Sequence, residues 1–208
     1  MYIPSTHVMK NTYLVAFNAA SCAGWVLVLV RAVSRLAGGA RLGGGGVVEE
    51  WVQSLAVLDV VHAAMGLVRS PLLTAAVQVA SRLLVLLLLP RISPGLRRSR
   101  VLDLVLLAWS VADATRYLFY TLQLLRLRRN VGFVTWLRYN GFLLLYPAGV
   151  AGEMALVTMT VPDARRVHPL APVALYALLA IYPPGLYMLY THLLRQRRRM
   201  QRGKRREL

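Results

Sequence analysis

The chain has 208 residues, of which 57% are hydrophobic, and its formal net charge is +17. Its mean hydropathy of +0.52 comes from long apolar runs, which leave no room for a soluble catalytic domain. The charge resembles that of nucleic-acid-binding proteins, but eight of the 25 basic residues lie in the C-terminal string RQRRRMQRGKRREL, where attraction to a membrane surface explains them better. The single cysteine, Cys22, excludes an internal disulfide and a multi-cysteine metal site.

Six apolar runs are long enough to cross a membrane, since a transmembrane helix needs about 20 mostly apolar residues. We predict an all-α polytopic membrane protein, a six-transmembrane-helix bundle with an inward polar cavity. The predicted spans are residues 12–31, 51–69, 71–90, 101–125, 135–159 and 170–194. They form one transmembrane domain at 12–194, between an N-terminal tail at 1–11 and a basic C-terminal tail at 195–208.

The basic C-terminal tail sets the predicted orientation, because basic residues beside a span favour the cytosol. An even number of spans then returns the N-terminal tail to the cytosolic side. The loop PRISPGLRRSR opposes this orientation, since its arginines would face the far side, so the topology depends mainly on the tail. Between the first two runs, the glycine-rich segment RAVSRLAGGARLGGGGVVEE predicts a flexible loop, and it lacks the lysine and hydroxyl of a phosphate-binding P-loop.

Polar side chains recur at helical spacing inside the apolar runs, so they form stripes along single helix faces. The stripes comprise Asn18, Ser21 and Trp25; Asp59, His62, Gly66 and Arg69; Gln78 and Arg82; and Trp109, Asp113, Arg116, Tyr120 and Gln123. A charge at mid-bilayer costs about 2.5 to 3.5 kcal/mol and usually faces a bundle interior, so the stripes predict a shared polar cavity. We expect Asp113 and Arg116 to hold the fourth run against the fifth. The alternatives are a structural ion pair of Asp113 with Arg116, a core role for His62, and interhelical hydrogen bonding by the uncharged residues.

The fifth run carries Tyr139, Tyr146 and Glu153 at steps of seven residues. At about 100° per residue, each lies only about 20° from the last, so all three face one way. Gly149 falls on that face between Tyr146 and Glu153 and leaves a gap in which a substrate fits; the alternative is that it serves close helix packing. Pro147 removes one backbone donor and favours a kink.

The string WLRYNGFLLLYPAGVAGE resembles the membrane 3-hydroxyacyl-CoA dehydratases of fatty-acid elongation, a family also called protein-tyrosine-phosphatase-like. Further motifs resemble the family's first four helices in the same order: YLVAFNAASCAGW, LAVLDVVHAAMGLVRS, VQVASRLLVL and AWSVADATRYLFYTLQLL. The resemblance implies a six-span enzyme of the endoplasmic-reticulum membrane with both termini in the cytosol. It implies a hydro-lyase that removes water from a (3R)-3-hydroxyacyl-CoA to give the trans-2-enoyl-CoA, the third step of the microsomal elongation cycle.

The resemblance places the family's catalytic tyrosine at Tyr146, in the YPxG element, and its catalytic glutamate at Glu153. Two departures are Asp59 and Asp113, which stand where the family usually has glutamate, so the acid has a shorter reach. Phosphatase activity is not supported, because Cys22 lacks the arginine six residues later that Cys-x5-Arg chemistry needs.

Dehydration needs a base for the C2 proton and an acid for the departing hydroxide. Tyr146 and Glu153 supply both; which is acid and which is base stays open, with a preference for Tyr146 at C2. The expected supporting residues, in the polar cavity or in contact with CoA, are Arg116, Arg138, Asp113, Tyr139, Gly149, His62 and Asp59. No metal and no cofactor is expected, since elimination changes no oxidation state, no ligand cluster is visible and CoA is part of the substrate.

The expected partners are the 3-hydroxyacyl-CoA substrate, the lipid bilayer and the other elongation enzymes, namely elongase, ketoacyl reductase and enoyl reductase; nucleic acid is not expected. The CoA must stay at the aqueous face, where its phosphates would meet Arg126, Arg128, Arg129 and Arg138. The competing function is a catalytically inactive membrane scaffold or a small transporter, in which buried charge pairs and a basic tail would serve equally well.

Overall fold

The computed structural model describes residues 5–38, 46–68, 70–127 and 132–206, and these are helical with no strand among them, which confirms the all-α prediction. The α-helices are α1 Ser5–Leu36, α2 Val47–Leu55, α3 Val57–Ala64, α4 Leu72–Leu83, α5 Leu89–Ile92, α6 Arg100–Leu124, α7 Gly132–Asn140, α8 Phe142–Ala164 and α9 Ala171–Arg206. A π-helical stretch, Leu84–Leu88, joins α4 to α5, and a 3-10 turn, Pro94–Arg98, leads into α6.

Within the described ranges, four helical segments are long and apolar enough to cross a membrane: Val8–Leu36, Leu72–Ile92, Phe142–Ala164 and Ala171–Arg195. They overlap the first, third, fifth and sixth predicted spans. Helix α6 has 25 residues but includes the charged residues Arg100, Asp103, Asp113 and Arg116. Helices α2 and α3 have only 9 and 8 residues, and at about 1.5 Å per residue neither alone crosses a core of about 30 Å.

The second predicted span is two helices that meet at Ala56, whose N–H bonds to the carbonyl of Gln53 and so tightens the turn. It also ends early, because α3 stops at Ala64 and Gly66 adopts a left-handed φ of 67°, typical of a glycine that terminates a helix. The predicted stripe therefore does not continue through Gly66, and Arg69 lies outside the described residues. In the fourth run, Gln123 is exposed, so that stripe ends at Tyr120.

Three other boundaries differ from prediction. The ends of the glycine-rich segment are helical, since α1 reaches Leu36 and α2 starts at Val47, while residues 39–45, which hold most of the glycine cluster, lie outside the described residues. The fifth predicted span breaks at Gly141, but this residue keeps right-handed helical angles (φ −57°, ψ −32°). Because of those angles, α8 follows α7 after this single residue. The third difference is at the C-terminal end, where the residues predicted as a basic tail continue helix α9 to Arg206.

Helix α6 lies at the centre of the packing, with α1 along one side and α8 along the other, and α9 packs on α8. The buried core between them includes Trp25, Val105, Leu106, Leu156 and Val157. Helix α4 packs mainly against α2 and α3, while the π-helical stretch and α5 that follow it approach α8. The N-terminal part of α4 is therefore set apart from α8 and α9, and this separation leaves the space that holds the site.

A buried ion cluster ties α1, α2 and α6 together. Glu49, 2% exposed, accepts hydrogen bonds from Arg31 at 3.0 Å and from Arg35 at 2.8 Å, and Arg35 also donates to Asp103 at 2.5 Å. The carboxylate of Glu49 is thus the anion that two arginines of α1 share.

We expect Glu49→Gln to lower the free energy of unfolding by about 3 to 5 kcal/mol, because the buried Arg31 and the half-buried Arg35 lose the anion that they share. Arg35 keeps its pair with Asp103. The measurement is the melting temperature in detergent, which should be lower in the variant than in the native protein. Arg166→Gln is the control, since its ion pair with Asp163 is 83% exposed on the arginine side and should contribute little. Equal melting of both variants would contradict the role of Glu49.

Candidate active site

A cavity of about 210 Å³ lies between α4, α6, α8 and α9, and we call it the apolar cavity. Six residues of α8 line it, among them Tyr146, Gly149 and Glu153. Helical spacing predicted that these three share a face, and the structure brings them to one cavity. Residues from the other helices complete the lining, including Gln78, Arg82, Trp109, Leu178, Ile181, Tyr182 and Gly185.

The phenol of Tyr146 is half-buried and held from across the cavity by α4. The side-chain amide of Gln78 donates a hydrogen bond to the Tyr146 hydroxyl oxygen at 3.1 Å. This bond occupies one lone pair of the phenol and leaves its proton available to another acceptor. Gln78 thus positions the Tyr146 hydroxyl in the cavity.

Glu153 is 7% exposed, and each of its carboxyl oxygens has a partner. The indole N–H of Trp109 donates to Oε1 at 3.1 Å, and the hydroxyl of Tyr182 donates to Oε2 at 3.0 Å. A buried carboxyl is costly unless its oxygens are satisfied, and here the two aromatic donors come from α6 and α9. The Tyr182 hydroxyl can also accept a hydrogen bond, so this arrangement serves Glu153 in either protonation state.

Gly149 lies beside Trp109. A methyl group added at Gly149 would meet the Trp109 ring at 3.6 Å, which is ordinary van der Waals contact. Gly152, on another face of α8, is different, because an added methyl group there would overlap the side chain of Val105. Gly152 is therefore a packing glycine, whereas Gly149 has room for one carbon.

A second cavity, of about 260 Å³, adjoins the first, and we call it the charged cavity. Seven residues line both cavities, among them Gln78, Arg82 and Tyr146. Five charged side chains line it: Asp59, Arg82, Asp113, Arg116 and Arg138. Along α9 it is lined by Leu189 and Leu193, so it lies toward the end of α9 that leads to the basic tail.

Four of these five charges form a chain of ion pairs across three helices. Asp113, 5% exposed, pairs with Arg82 of α4 and with Arg116 at 3.2 Å, and Arg116 pairs with Asp59 of α3 at 2.8 Å. The guanidinium of Arg82 also lies 4.9 Å from the centre of the Trp109 ring, a cation–π contact. We expected Asp113 and Arg116 to join α6 to the fifth span. That expectation is wrong, because their partners lie on α3 and α4.

Arg138 and Tyr139 lie at the same cavity but apart from Glu153. Arg138 donates to the Tyr120 hydroxyl at 2.8 Å, and its guanidinium lies over the rings of Phe119 and Tyr120. Tyr139 lines the charged cavity and contacts the edge of Phe119. The seven-residue series therefore divides, with Tyr139 in the charged cavity and Glu153 in the apolar one.

His62 lies elsewhere, since it lines neither cavity. It is 3% exposed, its Nε2 is 2.8 Å from the Tyr13 hydroxyl, and its ring packs edge-on against Phe17. These contacts match a satisfied core histidine, the alternative that the sequence left open.

Arg82, Gln78 and Tyr182 have a larger part in the site than the sequence indicated. Arg82 and Gln78 were visible as polar residues four apart in an apolar run, but nothing in the spacing names their partners on α6 and α8. Tyr182 carried one signal, a hydroxyl before the Pro183–Pro184 pair in an apolar run. Of the arginines expected to meet CoA phosphates, Arg126 is exposed, and Arg128 and Arg129 lie outside the described residues.

The fold and the site define a helical membrane protein that presents a phenol and a carboxyl to one apolar cavity. The family model described as "Protein tyrosine phosphatase-like protein, PTPLA" matches residues 53–203. The chain belongs to this family. No solved structure matches it.

Similar proteins cover nearly the whole chain. The probable very-long-chain (3R)-3-hydroxyacyl-CoA dehydratase of Schizosaccharomyces pombe is 39% identical, over 94% of this chain and 95% of that protein. The very-long-chain (3R)-3-hydroxyacyl-CoA dehydratase hpo-8 of Caenorhabditis elegans is 34% identical, over 93% and 96%. Very-long-chain (3R)-3-hydroxyacyl-CoA dehydratase 2 of Homo sapiens is 29% identical, over 92% and 82%.

We expect Asp113→Asn to lower both stability and rate. It removes the buried anion that Arg82 and Arg116 share. Arg116 keeps Asp59, but the loss of the pair with Arg82 costs about 3 to 5 kcal/mol. Melting temperature in detergent and turnover should fall together. A variant that melts like the native protein while turnover falls would contradict this structural role and would indicate direct contact with the substrate.

Proposed function

We propose that the chain is a (3R)-3-hydroxyacyl-CoA dehydratase, a hydro-lyase that eliminates water to give the trans-2-enoyl-CoA in the third step of fatty-acid elongation. The observation that carries this proposal is the meeting of Tyr146 and Glu153 in one apolar cavity, two helical turns apart with Gly149 between them. The names of the similar proteins support the same reaction.

The two cavities give the substrate a direction. The CoA part is anionic and suits the charged cavity, where Arg116 and Arg138 lie, while the acyl chain suits the apolar cavity. Tyr146 lines both cavities and Glu153 only the apolar one. A thioester entering from the charged side reaches Tyr146 first, so C2 lies nearer Tyr146 and the C3 hydroxyl nearer Glu153.

This order assigns the chemistry. Tyr146, as the phenolate, takes the proton from C2; the C2–H electrons form the C2–C3 double bond, and the C3–O bond breaks. Glu153, in its protonated form, donates its proton to the departing hydroxide, which leaves as water. A proton then returns from Tyr146 to Glu153 to restore the starting state. The positive charge of Arg82, which lines both cavities, would stabilise negative charge on the thioester carbonyl.

The reaction needs no cofactor, since elimination leaves the oxidation state of the substrate unchanged. The proposed membrane arrangement has six spans around an inward polar cavity. Four are the apolar candidate spans described above, and the other two are α6 and the pair α2–α3. Both termini lie in the cytosol, supported by the basic residues that follow α9. The proposed location is the endoplasmic-reticulum membrane, where elongase, ketoacyl reductase and enoyl reductase act on the same acyl chain.

We expect Tyr146→Phe and Glu153→Gln each to reduce turnover by about 10²- to 10⁴-fold, because each removes one proton-transfer group. The assay uses purified protein in detergent with a 3-hydroxyacyl-CoA and follows formation of the enoyl-CoA. Both variants should melt near the native temperature, since the phenyl ring and the carboxamide that replace the native groups keep most of the native contacts. More than about half of native activity in either variant would refute the pair. A native protein without turnover would favour the inactive scaffold or transporter.

We expect Gly149→Ala to be tolerated and Gly149→Leu to block turnover. The first adds only the carbon for which there is room beside Trp109, whereas leucine would fill the gap between Tyr146 and Glu153. Gly152→Ala is the matched control, because its methyl group overlaps Val105 and should lower the melting temperature. If Gly149→Leu instead loses stability and activity together, Gly149 is a packing residue like Gly152.

A further inference from the structure

The apolar cavity reaches the surface of the protein between α4 and α9. Val77 of α4 and Ile181 of α9 both line the cavity, yet they are 61% and 64% exposed. Gly185, one turn beyond Ile181 on α9, also lines it and is exposed, and a methyl group added there would meet nothing within 4 Å. We call this gap, bordered by Val77, Ile181 and Gly185, the lateral opening.

The lateral opening follows from the packing of its two borders. Helix α4 packs mainly against α2 and α3, and α9 packs against α8. Both borders lie in candidate membrane spans, Leu72–Ile92 and Ala171–Arg195. A side opening between two such helices faces the hydrocarbon of the bilayer and not water.

The volume of the apolar cavity is small for a long acyl chain. A water-sized group takes about 30 Å³, so 210 Å³ holds roughly seven groups of that size, and a methylene is comparable. The similar proteins are named for very-long-chain substrates. Most of such a chain must therefore lie outside the cavity.

We infer that the lateral opening is the path by which the acyl chain leaves the cavity and enters the bilayer. The inference rests on the proposed dehydratase function. The first carbons after C3 lie in the apolar cavity beside Leu178 and Tyr182, and the rest of the chain passes between Val77 and Ile181 into lipid. Leaving costs the chain little, because lipid tails are as apolar as the leucine side chains that line the cavity.

This path determines which substrates the protein accepts. A closed tunnel sets an upper limit on chain length by its end wall, whereas an opening into lipid sets none. The cavity itself contacts only the carbons near the thioester. Chain length beyond the opening should then have little effect on turnover in the native protein.

The test narrows the opening and measures turnover against chain length. Gly185→Phe adds a ring at the α9 border of the opening, and Val77→Phe adds one at the α4 border. Gly95→Phe is the control, because Gly95 lies in the 3-10 turn and lines neither cavity. Gly95, like Gly185, has free space around it. The substrates are 3-hydroxyoctanoyl-CoA, whose chain ends within the cavity, and 3-hydroxyeicosanoyl-CoA, whose chain does not. Melting temperature in detergent is measured for each variant.

We expect both border variants to lower the ratio of kcat/KM for the long substrate to that for the short one by at least about tenfold, and the control to leave the ratio unchanged. The inference would be overturned if the ratio were unchanged in both border variants. It would also be overturned if a variant with the native melting temperature lost kcat/KM equally for both substrates. Either result would leave the dehydratase proposal intact. Failure of the native protein to dehydrate either substrate would overturn the proposed function and the inference together.

Discussion

Every charge placed among these apolar helices needs a partner there, and the arrangement of α3, α4 and α6 depends on that requirement. Asp113 is the single carboxylate between Arg82 and Arg116, and Asp59 takes the remaining charge of Arg116. Charges of this kind are costly unless paired, so these ion pairs fix the positions of the three helices relative to one another. Hydrophobic packing alone would not do this, because lipid offers an apolar side chain nearly the same surroundings as a neighbouring helix.

The same pairing creates the cavities. Helix α4 packs against α2 and α3, and its Arg82 extends to pair with Asp113 of α6. Long polar side chains therefore bridge α4 and α6, and the two helices do not pack closely there. Gln78, also on α4, extends to reach Tyr146. The polar groups that stabilise the bundle are thus the walls of the site. A substitution among these paired charges consequently affects both the stability of the bundle and the geometry of the site. Glu153 takes no part in the ion pairs, because its carboxyl is held by two neutral donors, Trp109 and Tyr182.

Period and residue type were enough to predict the helical class and the shared face of Tyr146, Gly149 and Glu153, because both depend on neighbours along one helix. They were not enough for contacts between helices. The partner of Asp113 on α4 and the second donor to Glu153, Tyr182, depend on how helices pack, which no spacing encodes. Residue type did not predict the break at Ala56 either, since alanine itself favours a helix, yet its N–H bonds to the carbonyl of Gln53 and tightens the turn.

The gap at Gly149 has a geometric reason. Residues seven apart on a helix are separated by about 10.5 Å along its axis, whereas the two carbons that lose a proton and a hydroxide are bonded to each other. Side chains on a helix lean toward its N-terminus, so Glu153 covers the space above Gly149, on the side of Tyr146. A side chain at 149 would occupy that space. Trp109 closes it from α6 and also donates to Glu153, so the residue that limits the gap also holds the carboxyl that reaches across it.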